Sequence, residues 1–189
     1  AEWGGYTADI TRTFPVSGKF SAEQRDIYEA VLQVQTIALE RIRAGAKWES
    51  VSWDARRRCC ECLVDLGLVQ GEVDSMLEND ISQLFFPHGL GHHLGLQVHD
   101  VGPMGPLPGT LEEGNVVTCE PGIYFVDAIL EPAHEDKVKH WFLKRDMIEK
   151  FKSVGGVRIE DDVHITADGI DNLTTVAKSV KDIEAKMQG

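Results

Sequence analysis

Four of the chain's seven histidines fall within twelve residues, inside Phe86-Pro87-His88-Gly89-Leu90-Gly91-His92-His93-Leu94-Gly95-Leu96-Gln97-Val98-His99-Asp100. Imidazole is the commonest metal ligand among side chains, and the one whose charge changes near neutral pH. Three glycines and a proline in the stretch keep its backbone from being an ordinary helix. Such a run is a purification-style artefact, a metal site or a catalytic wall. The plain alternative is a turn whose histidines only cap strands and satisfy carbonyls.

Three carboxylates belong to the same argument. Asp9 sits inside the alternating run Tyr6-Thr7-Ala8-Asp9-Ile10-Thr11-Arg12-Thr13-Phe14, Glu120 follows Asn115-Val116-Val117-Thr118-Cys119, and Glu160 lies inside the alternating run from Gly155 to Thr166. A carboxylate taken into a sheet is costly unless it is paired or metal-bound. With His92 these side chains make a set of oxygen donors and one nitrogen, which suits Mn²⁺ or a similar divalent ion. Two ions joined by bridging carboxylates would activate a water and polarise a carbonyl or phosphoryl group. Spacing alone leaves separate structural roles open, an edge-strand Asp9 facing solvent among them. Arg158 lies two residues before Glu160, so on a strand it faces the same side and could pair with a carboxylate there.

The elements that must position these residues are legible in part. Tyr6 to Phe14 reads as a strand with an apolar face (Tyr6, Ala8, Ile10, Phe14) and a polar one. A helix follows, with Ser21 and Gln24 in a capping-box pattern and apolar residues at Ile27, Val31, Val34, Ala38 and Ile42, ended by Gly45. A second helix is expected from about Glu49 to Leu66 with Gly67 as its stop, and a third from about Val73 to Asn79. Pro103 to Gly109 reads as a loop, and Asn115 to Cys119 as a buried strand. The chain turns at Glu120-Pro121-Gly122, and Ile123 to Val126 resumes extended. Residues 132–152 read as a charged, loosely helical excursion on the surface, and Val180 to Met187 as a closing helix.

A chain of 189 residues with net charge −12 fits one domain with a real core and repels a nucleic-acid backbone. It holds no run of eighteen apolar residues for a membrane span. Its N-terminus shows neither the basic nor the apolar region of a secretory signal, and it lacks an initiator Met, so it is expected to begin partway through a longer protein. Cys59, Cys60, Cys62 and Cys119 have no zinc-finger spacing and read as reduced, packed thiols of a cytoplasmic protein.

Four segments then carry a resemblance: Tyr6 to Phe14; Pro87-His88-Gly89-Leu90-Gly91-His92 with Val98-His99-Asp100; Glu120-Pro121-Gly122-Ile123-Tyr124; and Gly156-Val157-Arg158-Ile159-Glu160-Asp161-Asp162. Together, and in this order, they resemble the pita-bread-fold metallopeptidases, and among these most closely the prolidases (Xaa-Pro dipeptidases). The resemblance implies an α+β fold, a curved and mainly antiparallel sheet with helices on its outer face, truncated at its N-terminus. Residues 1–189 would be a metallopeptidase catalytic domain lacking its first part. It implies two divalent ions, Mn²⁺ first among them, held by Asp9, His92, Glu120 and Glu160, with Asp9 and Glu160 bridging. Glu120 would also serve as general base and His99 as the imidazole that meets substrate and steadies the tetrahedral intermediate. His88 would stand on the substrate side, Arg158 would also bind substrate, and His93 would be structural.

The expected substrate is an Xaa-Pro dipeptide, and the expected assembly a homodimer. The family's second metal-binding aspartate would fall before Ala1, leaving one site incomplete. The loop from Gly102 to Gly114 also lacks the arginine with which prolidases grip the dipeptide's carboxylate. Aminopeptidase P, which acts on longer peptides, is the enzymatic alternative; a metal-free protein-binding module on the same fold is the other.

Overall fold

The computed structural model describes residues 1–101 and 108–188. Strands β1 (Glu2–Trp3) and β2 (Tyr6–Thr7) form an antiparallel pair, and β3 (Thr11–Arg12) follows. The single strand expected here is thus broken around Asp9. Its apolar face is the exposed one: Tyr6, Ile10 and Phe14 meet solvent, whereas Thr7, Asp9, Thr11 and Thr13 are half-buried. Polar partners explain the choice. The Thr7 hydroxyl donates to the Gly95 carbonyl at 2.9 Å, Thr11 to the Glu160 carboxylate, and Thr13 to the Arg158 carbonyl at 2.9 Å.

Helix α1 (Ala22–Arg41) opens with the expected capping box. Ser21 Oγ accepts from the Gln24 N–H while Gln24 Oε1 accepts from the Ser21 N–H. It ends at Arg41, and Gly45 belongs to the loop beyond rather than to the helix end. Helix α2 (Trp48–Asp65) stops where Gly67 takes φ +69°, the left-handed turn that glycine enters without strain. Two short helices follow, α3 (Val73–Glu78) and α4 (Ile81–Phe85); the sequence reading carried only the first.

Strands β4 (Val116–Cys119) and β5 (Gly122–Tyr124) lead into α5 (Asp127–Glu135), α6 (Lys139–Phe142) and α7 (Arg145–Phe151). This segment is more than the expected surface excursion, because Leu130, Ala133, Phe142, Leu143, Ile148 and Phe151 all join the core. Its charged residues occupy only the outer faces of helices whose inner faces are apolar. The chain closes with β6 (Gly156–Ile165), β7 (Ile170–Asn172) and α8 (Val180–Met187). The loop expected at Pro103–Gly109 lies mostly outside the described residues.

Strand β6 is the axis of the sheet. One edge pairs antiparallel with β4 and then β5, and the other with β3 and β7. Helix α1 packs on its core face, where Val157, Ile159, Val163 and Ile165 are buried. The order is an α+β one, with a mainly antiparallel sheet backed by helices. Among the described residues no helix is long and apolar enough to cross a membrane.

Candidate metal centre

The histidine stretch is not a free loop. Leu94 N–H bonds the Val116 carbonyl at 3.0 Å, Thr118 N–H the His92 carbonyl at 2.9 Å, and Glu120 N–H the Leu90 carbonyl at 2.8 Å. Residues 90–94 therefore run antiparallel along the outer edge of β4, with His93 bridging Val117. Gly91 makes the approach possible, since a Cβ there would run into the Thr118 backbone carbonyl. Arg56 of α2 holds the start of the stretch, donating to the carbonyls of Phe86 at 3.1 Å and His88 at 3.0 Å. Thr118 ties the two halves together: its hydroxyl accepts the His92 N–H at 3.0 Å and donates to Glu120 Oε1 at 3.2 Å.

This ladder sets His92 against the carboxylates. Its Nε2 lies 3.3 Å from Glu120 Oε1 and 3.7 Å from Asp9 Oδ2. His92, Glu120 and Glu160 bring one ligand atom each within 4.8 Å of one another, and so do Asp9, His92 and His99. The His99 ring stands 4.3 Å from that of His92, centroid to centroid. All four residues expected as ligands therefore converge on one place, and His99 with them. His93 contributes its carbonyl, which accepts from His92 Nδ1 at 2.9 Å. A carbonyl accepts only, so Nδ1 carries the proton.

That leaves Nε2 buried and without a hydrogen-bond partner among the described residues, facing acidic oxygens. In the neutral ring Nε2 presents a lone pair to these carboxylates, which repel it unless a proton or a metal cation lies between. Metal-bound histidines commonly donate their second ring nitrogen to a backbone carbonyl in this way. The residues fit a divalent ion.

The electrostatics agree. Burial, together with the Asp9 charge, raises the proton affinity of Glu120 against the pull of Arg158 and the Thr118 hydrogen bond. Burial and the charges of Glu120 and Asp9 raise that of Glu160, against the Thr11 hydrogen bond. Asp162, at the end of the Gly156–Asp162 segment, joins these acids. It accepts the Asp9 N–H at 3.2 Å and is pushed up to about 6 by burial and then by the Glu160 and Asp9 charges. Four carboxylates with too few cations between them form a site short of positive charge.

Around the cluster a cavity of about 380 Å³ is lined by His88, Gly89, Gly91, His92, His99, Glu120 and Arg158. Arg158 faces the Glu160 side as expected, with Nη1 3.9 Å from Glu120 Oε2. His88 Nδ1 donates to the Gly89 carbonyl at 2.8 Å, so its Nε2 accepts from the Tyr124 hydroxyl at 2.8 Å. Burial, with help from Arg158 and Arg56, lowers the His88 pKa and keeps the ring neutral. Sequence reasoning missed Thr118, Tyr124 and Arg56. The available signal was even spacing, with Thr118 two residues before Glu120 and Tyr124 four after it.

Metallopeptidase family M24 matches residues 1–167. The chain belongs to that family. Among M24 relatives, a probable Xaa-Pro aminopeptidase of Talaromyces stipitatus is 44% identical over 200 residues, covering 100% of this chain and 43% of that protein. A variant of Escherichia coli aminopeptidase P solved in complex with substrate is 39% identical at a TM-score of 0.84, covering 99% of this chain and 39% of that one. Pseudomonas aeruginosa aminopeptidase PepP superposes with a TM-score of 0.83 at 39% identity, over 99% of this chain and 39% of its own. The chain thus has the pita-bread fold of these M24 enzymes and spans about two-fifths of their length. The names of these relatives speak of aminopeptidases, whereas the sequence motifs had pointed first to a prolidase.

Proposed function

We propose that residues 1–189 are the catalytic part of a divalent-metal peptidase that removes the residue preceding a proline at the N-terminus of a peptide, an Xaa-Pro aminopeptidase. The observation that carries the metal reading is His92: Nδ1 spent on a carbonyl, Nε2 buried, without a hydrogen-bond partner among the described residues and aimed at Glu120 and Asp9. Asp9, His92, Glu120 and Glu160 would hold the divalent ions. When bound, divalent ions such as Mn²⁺ supply an acidic water and a polarised scissile carbonyl.

The remaining work falls to the chain's own groups. Glu120 Oε2, the oxygen not engaged by Thr118, takes up a proton as general base, a role that its raised proton affinity suits. His99, exposed beside His92, meets the substrate carbonyl oxygen as an oxyanion-type donor. Neutral His88 orders Tyr124 at the cavity wall, and Arg158 holds Glu120 and the substrate side of the cavity. The longer-peptide substrate follows the names of the relatives, aminopeptidases at up to 44% identity among those given above.

The test compares kcat/KM for an Xaa-Pro dipeptide and an Xaa-Pro-Yaa tripeptide, in Mn²⁺ and in chelator. Metal-dependent cleavage that favours the tripeptide is expected. Preference for the dipeptide would restore the prolidase assignment. No cleavage of either, with a protein partner lost in Glu160→Ala, would favour a metal-free binding module.

A further inference from the structure

The core face of β6 reads Val157, Ile159, Asp161, Val163, Ile165: four aliphatic side chains and one carboxylate. Asp161 is completely buried. Lys178 Nζ donates to its Oδ2 at 2.6 Å, Asn172 Nδ2 to the same oxygen at 2.7 Å, and Arg12 Nη2 to Oδ1 at 2.7 Å. An aliphatic residue at 161 would complete the apolar face, and such replacements of buried ion pairs are often neutral or stabilising. What an aliphatic residue lacks is a hold on the neighbouring backbone.

That hold is extensive here. Arg12 Nη1 also donates to the carbonyls of Glu160 at 2.8 Å and Thr11 at 2.9 Å. The Asp162 N–H is taken by Thr174 Oγ1 at 2.9 Å, and its carbonyl by Leu173 N–H at 2.9 Å. Lys178 further donates to Gln35 Oε1 at 3.1 Å, and Gln35 Nε2 spans the carbonyls of Cys119 and Ile159, each at 3.2 Å. Glu120 and Glu160 each follow one of those two carbonyls in sequence. The segment supplying Asn172, Thr174 and Lys178 lies beyond residue 167, where the family match ends.

We propose that Lys178, through the buried Asp161, is a positioning residue for the metal centre: the 172–178 segment sets the spacing and rotation of Glu120 and Glu160 from the far side of the sheet. This rests on the metal reading above. Groups hydrogen-bonded to the ligands of a metal site typically change its affinity 10–100-fold when removed, and Lys178, acting one step further back through the backbone, belongs at the lower end of that range.

The test is calorimetric titration of the 189-residue chain with Mn²⁺. Lys178→Met should bind about tenfold more weakly, and Lys178→Arg, which keeps a cation on Asp161, should recover most of the loss. Leu130→Ala, a core truncation on α5, controls for stability alone and should lower Tm at unchanged affinity. If Lys178→Met fails to fold, Asn172→Ala replaces it with the same direction of effect. Wild-type affinity in the folded Lys178 or Asn172 variant would overturn the inference, as would equal weakening in Leu130→Ala. A wild-type chain that takes up no Mn²⁺ would instead overturn the metal reading itself, and this inference with it.

Discussion

Gly91 is the residue on which the approach of the histidine stretch to β4 depends. A methyl group there meets backbone, the Thr118 carbonyl, and not the yielding end of a side chain. Gly91→Ala should therefore cost about 1–3 kcal/mol in urea unfolding, the usual range for overpacking, and weaken divalent-ion binding as His92 is pushed from Glu120. Unchanged stability would mean that the edge ladder gives way easily. Gln35 makes a comparable case on the other side of the sheet. Its amide is fully buried and serves the Cys119 and Ile159 carbonyls, so Gln35→Leu leaves both without their donor. A loss of about 1–3 kcal/mol by the same measurement is expected.

The elements divide by where their information lies. Helices α1 and α2 were legible because their signals are local: a capping box at Ser21–Gln24, a stripe of Ile27, Val31, Val34 and Ala38, and a left-handed Gly67. The strands were less so, because β3 is two residues long and is defined only by pairing with residues nearly 150 positions away. The proposed ligands Asp9, His92, Glu120 and Glu160 stood out as chemical types in unusual places. Asp161, Asp162 and Gln35 did not, since most of their partners are distant in sequence, and Thr118 looked like an ordinary strand residue although it bonds Glu120 two positions on. The 132–152 segment misled because charge density reports the outer faces of α5 to α7 and hides Phe142 and Ile148.

Helix α2 carries its own prediction. Burial raises the thiols of Cys59, Cys60 and Cys62, the last two to about 12 and about 11, and raises the Tyr28 hydroxyl on α1 to about 12. An acid whose folded pKa lies above its unfolded one contributes stability below the unfolded value and loses it as pH rises further. Stability should therefore decline from about pH 9 upward, the unfolded thiol range. At pH 8 the four buried cysteines should react with a thiol reagent only as fast as the chain unfolds. Rapid reaction of the native chain would refute this packing.

On the scale of the molecule, a sheet with one central strand gathers carboxylates from Asp9, Glu120, Glu160 and Asp162 into one place in a chain already at net −12. Fold and site are coupled through that repulsion: the elements hold the acids together, and a bound cation would offset what their proximity costs. Mn²⁺ at about a hundred times its Kd should stabilise the chain by ~2.7 kcal/mol, a rise in Tm of about 5–10 °C that chelation reverses. The most direct measurement is anomalous diffraction from crystals soaked in Mn²⁺. The account predicts a manganese peak bonded to His92 Nε2 and to carboxylate oxygens of Glu120 and Glu160. A well-ordered site with no peak there, and His92 Nε2 hydrogen-bonded directly to Glu120, would contradict it.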